Sequence, residues 1–250
     1  MDEGSFSECN SKHVTVGLLG LGSIGLSVVE LLHGGSGVQI IGGLVRRHGE
    51  RKNQHNFPIV HSLNDLLELR PQVIAEVAGH SALKSYGPII LRSQIDLVIT
   101  SVSALAEQNF FIKLQAAATA TGRIVGIVAG AIGALDLISA AALGGLDKVT
   151  YLVRRPLEKK LLDLMSCNPP EETEIFYGSA REAALRFPEK LNVAAALGFV
   201  GLGLDKTKVR IIDDPKVDRI QHEIVAIGHF GKLNMSITNN AVGLISPSRL

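Results

Sequence analysis

The chain has 250 residues, of which 46% are hydrophobic and 20% are charged, and its formal net charge is +1. This near-neutral balance gives no electrostatic reason to expect nucleic acid or an anionic membrane surface as a partner. Residues 1–13 lack the apolar core of a secretion signal, and no apolar run reaches membrane-spanning length. The two cysteines, Cys9 and Cys167, are too few for a disulfide framework, and we expect no metal site. A soluble, cytoplasmic protein without a membrane anchor is therefore expected.

Short aliphatic stretches alternate with helical periodicity through the first half of the chain. Strands are predicted at 14–19, 38–45, 57–60, 73–77, 96–100 and 123–128. Helices are predicted at 26–32, 62–69, 82–93 and 106–121. This alternation indicates βαβ units, and so an α/β fold whose doubly wound parallel sheet, of the Rossmann type, carries helices on both faces. We assign this dinucleotide-binding domain to residues 1–130, including a polar leader at 1–13.

The pattern changes beyond residue 130. Strands are predicted at 148–153, 174–178, 208–213 and 222–228, and helices at 180–186 and 191–202. Fewer helices separate these strands, which indicates a second sheet covered by helices on one face. We therefore expect a second domain of the α+β type at 131–250, for substrate binding and dimerisation.

The stretch Gly20-Leu21-Gly22-Ser23-Ile24-Gly25 matches the pattern G-x-G-x-x-G. It follows a predicted strand and opens a predicted helix, which is the context in which this pattern binds dinucleotides. The first glycine permits a tight turn, the second lets a pyrophosphate approach the backbone, and the third lets helix and strand pack closely. We expect the loop, including Ser23 and Ile24, to bind NAD or NADP. A glycine-rich turn without a ligand is the alternative.

The residues that follow the second strand bear on the choice between the two cofactors. NAD sites usually place an acidic residue there, on the ribose 2′-hydroxyl, but this chain has Arg46 and Arg47. An arginine matches a 2′-phosphate in charge and geometry, so the pair favours NADP. The other interpretation is a solvated basic loop.

Four further stretches carry a resemblance to a known family. They read AEVAGHSAL from Ala75, AGAIGALD from Ala129, FPEKLNVAAAL from Phe187 and DDPKVDRIQHEIVAIGHFG from Asp213. Together with the glycine loop, they make the chain resemble the L-aspartate dehydrogenases from about residue 14 to residue 231. The resemblance implies that NAD or NADP oxidises L-aspartate to iminoaspartate, which either hydrolyses to oxaloacetate and ammonia or supplies pyridine nucleotide biosynthesis.

The resemblance also implies roles for single residues. Gly20, Gly22 and Gly25 would cradle the pyrophosphate, and Ala131 and Asn192 would contact the cofactor near its nicotinamide. His222 would be the catalytic histidine. Histidine suits this role because its unperturbed pKa lets it accept and return a proton near neutral pH.

Basic and polar residues around these motifs supply further candidates. Arg154 and Arg155 stand where the family has a basic pair before proline, so either could bind a substrate carboxylate, and a solvated strand end is the alternative. Ala78, His80 and Ser101 follow the fourth and fifth strands, at the sheet edge where ligands bind. We expect Ala78 and Ser101 to contact the cofactor and His80 to line the substrate pocket, although an exposed loop position is equally compatible with that histidine.

Two departures from the family pattern qualify the resemblance. The family commonly has glycine at the position of Ser103, so this serine is expected to narrow the site. The final residues AVGLISPSRL replace the usual closing stretch, which suggests a shortened carboxyl terminus. The alternatives are therefore a different two-domain NAD(P) oxidoreductase, similar to dihydrodipicolinate reductase or homoserine dehydrogenase, and a dinucleotide-binding protein without activity. We expect a homodimer that forms through the second sheet.

Overall fold

The computed structural model describes residues 13–32, 37–46, 56–157, 171–188 and 190–239. Most of the polar leader, Arg47 and the final stretch from Ala241 lie outside the described residues, as do both cysteines. No described helix combines the length and the apolar character that crossing a membrane would require.

The first half of the chain forms the predicted parallel sheet of six strands, in the order β3-β2-β1-β4-β5-β6. The strands are β1 (Val14–Leu19), β2 (Val38–Leu44), β3 (Ile59–Val60), β4 (Val73–Glu76), β5 (Asp96–Ile99) and β6 (Val125–Ile127). The helices are α1 (Ser23–Leu31), α2 (Leu63–Glu68), α3 (His80–Arg92) and α4 (Gln108–Thr121). The strand order reverses between β1 and β4, and the crevice at such a point, beyond the carboxyl ends of the strands, is where these sheets bind ligands.

The second half forms a five-stranded mixed sheet in the order β11-β10-β7-β9-β8. The strands are β7 (Leu146–Arg155), β8 (Thr173–Ser179), β9 (Lys208–Asp213), β10 (Gln221–Gly228) and β11 (Gly231–Thr238). Helices α5 (Leu135–Gly144), α6 (Ala180–Arg186) and α7 (Asn192–Val200) supply the other elements. Alanine and leucine side chains of α7 are fully buried against the strands, so one face of the sheet, here termed the core face, carries the hydrophobic core.

The fold class predicted from the sequence is confirmed, but three elements were not predicted correctly. Helix α5 and strand β11 were not anticipated. The helix predicted at 106–121 begins instead at Gln108, because Glu107 is extended and separates α4 from a 3₁₀ turn at Val102–Ala106. The domain boundary at residue 130 stays a prediction.

The 3₁₀ turn joins the two halves of the molecule. It follows β5 of the first sheet, and Arg181 of α6 donates to the carbonyl of Ala106, with the guanidinium nitrogen 2.7 Å from the oxygen. Next to it, the rings of Phe111 from α4 and Phe199 from α7 are stacked with their centroids 5.6 Å apart. Residues of this turn are therefore placed between the ligand crevice and the second domain.

Candidate active site

The glycine loop has the geometry of a close strand-to-helix crossing. Gly20 has a φ of +108°, and a Cβ at this position would lie 2.9 Å from the Cβ of Ala78. A Cβ on Gly25 would lie 2.4 Å from the carbonyl oxygen of Gly20. Neither position accepts a side chain, because β1, α1 and the segment after β4 meet there.

Gly22 differs from these two glycines, since a Cβ there would meet no atom within 4 Å. The space in front of α1 is therefore open at the position where a pyrophosphate approaches the backbone in dinucleotide-binding loops. No side chain caps the amino terminus of α1, and its first turn contains no acidic residue. The backbone N–H groups of this turn, which includes Ser23 and Ile24, and the partial positive charge of the helix end suit an anion. The loop fits NAD or NADP.

The buried carboxylate of Glu76 holds the two loops that form the crevice beside the glycine loop. Its Oε1 accepts hydrogen bonds from the backbone N–H groups of Ala78 and Gly79, both at 2.8 Å, and from the hydroxyl of Ser101 at 3.1 Å. Its Oε2 accepts from the N–H of Ser101 at 3.1 Å. The N–H of Ala78 and both donors of Ser101 are thus directed at Glu76, so contact of these two residues with the cofactor stays a prediction.

A second network connects α3, the 3₁₀ turn and α7. The backbone N–H and the hydroxyl of Ser103 both donate to Oδ1 of Asn192, at 3.0 and 2.7 Å. The same hydroxyl lies 2.8 Å from Nε2 of His80, the first residue of α3. The structure therefore brings together His80 and Asn192, which the sequence assigned to the substrate and cofactor ends of one site.

Ala131 lies in the loop between β6 and α5, among residues with unusual backbone angles. Gly130 has a φ of +70°, and Ala134 adopts a φ of +59°, a region that non-glycine residues enter at a cost. Ala131 packs against the core of the second domain. This packing holds the loop against the second domain. Contact of Ala131 with the cofactor stays a prediction.

His222 lies on the core face of the second sheet and is 7% exposed. Its Nδ1 is 2.7 Å from the hydroxyl oxygen of Tyr151, and its Nε2 is 3.0 Å from the amide nitrogen of Asn239. In this orientation the amide nitrogen is a donor only, so Nε2 accepts and Nδ1 carries the proton that is donated to Tyr151. The imidazole therefore holds its lone pair at Nε2.

Burial sets the protonation states of this pair. Desolvation lowers the pKa of His222 below its ordinary value of 6.5, so the imidazole is neutral at pH 7. Desolvation also raises the pKa of Tyr151 far above its ordinary value, so the phenol stays protonated. A neutral imidazole with a lone pair is the form in which histidine accepts a proton.

The two arginines predicted to bind substrate carboxylates lie on opposite faces of the second sheet. Side chains alternate along β7, and Val153 pairs with His222, so Arg155 shares the core face with this histidine while Arg154 does not. Arg154 contacts three carboxylates, those of Glu172, Asp214 and Glu223.

The acidic partners of Arg154 raise its pKa, chiefly through the hydrogen bond to Glu172, and they already balance its charge. Among the described residues, the guanidinium of Arg155 pairs with one carboxylate, that of Asp213, through Nε at 2.5 Å and Nη2 at 3.4 Å. The placement favours Arg155 over Arg154 as the substrate-binding residue.

Arg46 is exposed two residues after β2 ends, at the position predicted for recognition of the ribose. Arg47 cannot be placed with it, because it lies outside the described residues. Within the described part of the chain, no group of three or more His, Cys, Asp or Glu side chains is arranged to hold a metal ion.

Sequence reasoning missed Tyr151, Asn239 and the organising role of Glu76. A glutamate that ends the aliphatic strand β4 was a usable signal, since a carboxylate in a buried position requires hydrogen-bond donors. The partners of His222 left no such signal, because Tyr151 is separated from it by 71 residues. The alternation of Leu233, Met235 and Ile237 was an unused signal for β11, the strand that ends just before Asn239.

These features define a class of protein. A Rossmann sheet with a dinucleotide loop at its switch point is joined to a second domain that contains a buried, neutral histidine, as in two-domain NAD(P)-dependent oxidoreductases. Residues 20–127 match the model of the homoserine dehydrogenase NAD-binding domain, and residues 136–243 match the model described as aspartate dehydrogenase, C-terminal.

Comparison with known proteins identifies the family. The chain is 35% identical to the L-aspartate dehydrogenase of Pseudomonas aeruginosa, over 88% of this chain and 86% of that protein. It is 36% identical to the enzyme of the same name from Ruegeria pomeroyi, over 94% and 86% of the two chains. The chain therefore belongs to the L-aspartate dehydrogenase family.

Solved structures agree with this assignment. The aspartate dehydrogenase of Thermotoga maritima superimposes with a TM-score of 0.74 at 26% identity, covering 94% of this chain and 92% of that one. A dihydrodipicolinate reductase from Paenisporosarcina gives a TM-score of 0.55 at 12% identity, over 91% and 88% of the chains, and shares the fold alone. Family membership thus favours the first of the enzyme interpretations drawn from the sequence.

Proposed function

We propose that this protein oxidises L-aspartate to iminoaspartate with NAD or NADP as the acceptor. One observation of the site carries the proposal: a buried, neutral histidine, His222, holds its lone pair at Nε2 on the core face of the second domain. Family membership supports the choice of L-aspartate as the substrate. The product then hydrolyses to oxaloacetate and ammonia or supplies pyridine nucleotide biosynthesis.

His222 is the base of this reaction. An amine can become an imine only from its neutral form, so a group in the site has to take a proton from the substrate ammonium. Nε2 accepts this proton, and Nδ1–H remains donated to Tyr151, which stabilises the resulting imidazolium. The same nitrogen can later return the proton.

Substrate must displace the partner of Nε2 to reach this nitrogen. That partner, Asn239, is only partly buried and follows the last residue of β11. Asn239 therefore gives up its place to the substrate ammonium, a donor of the same kind.

The chain's own groups hold the cofactor along the crevice. Gly22, Ser23 and Ile24 receive the pyrophosphate at the amino terminus of α1, and Asn192 and Ala131 approach the nicotinamide from the second domain. Bound NAD or NADP supplies the hydride acceptor. Arg46 and Arg47 would receive a 2′-phosphate, which favours NADP.

Arg155 binds one carboxylate of the substrate. Asp213 contacts two of its three nitrogen atoms, which orients the guanidinium and leaves further N–H groups for a second carboxylate. We also assign to the substrate pocket His80, which contacts Ser103.

The proposal is tested by reduction of NAD and NADP at alkaline pH, followed at the absorbance of the reduced nicotinamide. L-Aspartate is compared with L-homoserine and with no substrate. Reduction that depends on L-aspartate is expected, together with formation of oxaloacetate and ammonia. If both cofactors bind but L-aspartate leaves them oxidised, the chain is a dinucleotide-binding protein without this activity.

We also propose that the protein is a homodimer formed through the outer face of the second sheet, opposite the core face. This face holds the partly buried Leu152 and Val225 and an open pocket of about 410 Å³. In the same pocket the hydroxyl of Thr150 is buried and has no hydrogen-bond partner among the residues that the structure describes. A second copy would cover the apolar side chains and could supply the missing partner.

Sedimentation tests this proposal directly. The wild type is expected at the mass of a dimer, and Leu152→Asp is expected to shift it towards the monomer. Leu185→Asp, at a 55% exposed position of α6, is the matched control and should leave the mass unchanged. A wild-type monomer at working concentration would contradict the proposal. We also propose, from the sequence, that the protein is cytoplasmic.

A further inference from the structure

We propose that Ser103 is a positioning residue that accepts a hydrogen bond from Nε2 of His80 and fixes the amide orientation of Asn192. The inference rests on the proposed function, in which these two residues face substrate and cofactor. Ser103 is 2% exposed and lies in the 3₁₀ turn between the two domains. No role in the reaction follows for it from the sequence, which predicts only a narrower site.

The direction of each hydrogen bond follows from a backbone group. The N–H of Ser103 can only donate, so the atom of Asn192 that it contacts at 3.0 Å must be the carbonyl oxygen Oδ1. The hydroxyl of Ser103 lies 2.7 Å from the same oxygen, which carries no hydrogen, so the hydroxyl must donate to it as well. Both acceptor positions of Oδ1 are thereby used, and the amide nitrogen is turned away from the turn.

The same logic continues to His80. Because the only hydrogen of the Ser103 hydroxyl is given to Asn192, its oxygen acts as the acceptor for Nε2 of His80 at 2.8 Å. Nε2 therefore carries a proton. Without the hydroxyl, Nε2 of His80 loses this acceptor.

The bridge also connects parts of the molecule that are far apart in sequence. His80 begins α3 beside the Glu76 network, and Asn192 begins α7 in the second domain. The side chain of Ser103 contacts both residues. Its position is restricted because the backbone N–H of Ser103 also donates to Asn192. Ser103 thereby fixes the position of His80, on the substrate side of the crevice, relative to Asn192, on the cofactor side.

The imidazole nitrogen signals of His80 give a readout that does not depend on turnover. In long-range ¹⁵N–¹H spectra of the wild type, His80 is expected to show a protonated Nε2, and Ser103→Ala is expected to shift the Nε2 signal because the acceptor is lost. Ser103→Cys keeps the side-chain volume with a weak donor and should resemble the alanine variant. Ser93→Ala, an exposed serine at the end of α3, is the matched control and should leave the signals of His80 unchanged.

Binding of NADPH, followed by fluorescence, provides the second measurement. Loss of the Ser103 hydroxyl should weaken binding about three- to tenfold, the effect of one or two neutral hydrogen bonds. A wild-type His80 without a proton on Nε2, or unchanged His80 signals together with unchanged NADPH binding in Ser103→Ala, would overturn the inference. Failure of the proposed function is distinguishable, because the protein would then not oxidise L-aspartate while both readouts still responded to the substitution.

Discussion

The hydroxyl of Tyr151 lies 2.7 Å from Nδ1 of His222, and the two rings are stacked with their planes 8° apart. The strands β7 and β10 that carry them are neighbours, so the sheet itself sets this distance. Stacking restricts rotation of the imidazole, and the hydrogen bond fixes which nitrogen carries the proton. The pair thus presents Nε2 of His222 as the acceptor on the core face.

Replacing Tyr151 by phenylalanine should reduce turnover more than stability. Tyr151→Phe keeps the stacked ring but removes the hydroxyl that accepts from Nδ1–H. This hydrogen bond stabilises the imidazolium more than the neutral ring. We expect kcat to fall about tenfold, the effect of one hydrogen bond to a charged group. The acidic limb of the pH profile of kcat should move to lower pH. An unchanged profile, or a wild-type His222 protonated at Nε2 in the ¹⁵N spectrum, would refute this account of the pair.

Stability should fall in weak acid because His222 is buried in its neutral form. Its pKa is lowered in the folded state, so the unfolded chain binds a proton first as the pH falls below 6.5. The contribution of this histidine to stability is therefore complete above pH 6.5 and is lost as the pH falls towards the lowered pKa of the folded state.

Urea unfolding between about pH 7.5 and about pH 5 measures this loss. His222→Gln should lose less stability over that range than the wild type does. His229→Gln, at an exposed position, is the control and should follow the wild type. Equal losses in the wild type and His222→Gln would exclude burial of the neutral imidazole as the cause.

The two neighbouring arginines of β7 form a matched pair for the substrate carboxylate. Arg155→Met should raise KM for L-aspartate about 10- to 100-fold, which corresponds to loss of a charge-assisted hydrogen bond. Arg154→Met should keep KM within about threefold, because Arg154 lies on the opposite face and its charge is already balanced by acidic partners. Steady-state kinetics with both variants checks the prediction, and a larger effect for Arg154 would reverse the assignment.

Cofactor preference should depend on Arg46. Arg46→Ala should lower kcat/KM for NADP about tenfold through loss of one charge-assisted contact, while NAD is affected less than about twofold. Arg92→Ala is a suitable control, because the end of α3 lies at the sheet edge opposite the crevice. Equal losses for both cofactors would mean that Arg46 does not recognise the 2′-phosphate.

The fold was predictable because its elements carry local signals. Strands β1 and β9 have the predicted bounds, since each is a short apolar run that ends at glycine, charge or a turn. Helix α5 was missed because its sequence, LDLISAAALG, follows a glycine-rich loop and has a weak periodic pattern. Strand β11 was missed although its apolar residues alternate. Its other face is polar and exposed, and its apolar residues are only partly buried, so the signal is weak.

The sequence proposes residues for the site, but it does not predict their contacts. The motifs pointed to His222, Asn192 and the glycine loop, whereas the contact between Ser103 and Asn192 spans 89 positions. The difference between Arg154 and Arg155 follows only from the register of β7 against β10. Sequence spacing predicts which residues share an element, and tertiary packing decides which of them face each other.

The base role of His222 is the central claim, and one comparison tests it most directly. L-Aspartate-dependent reduction of NADP is measured for the wild type and for His222→Ala, together with the affinity of each for NADPH. The account predicts that turnover falls about 10²- to 10⁴-fold, the usual contribution of a general base, while NADPH affinity is nearly unchanged. Turnover within a few-fold of the wild type would contradict it, and His80 would then be the next candidate for the base.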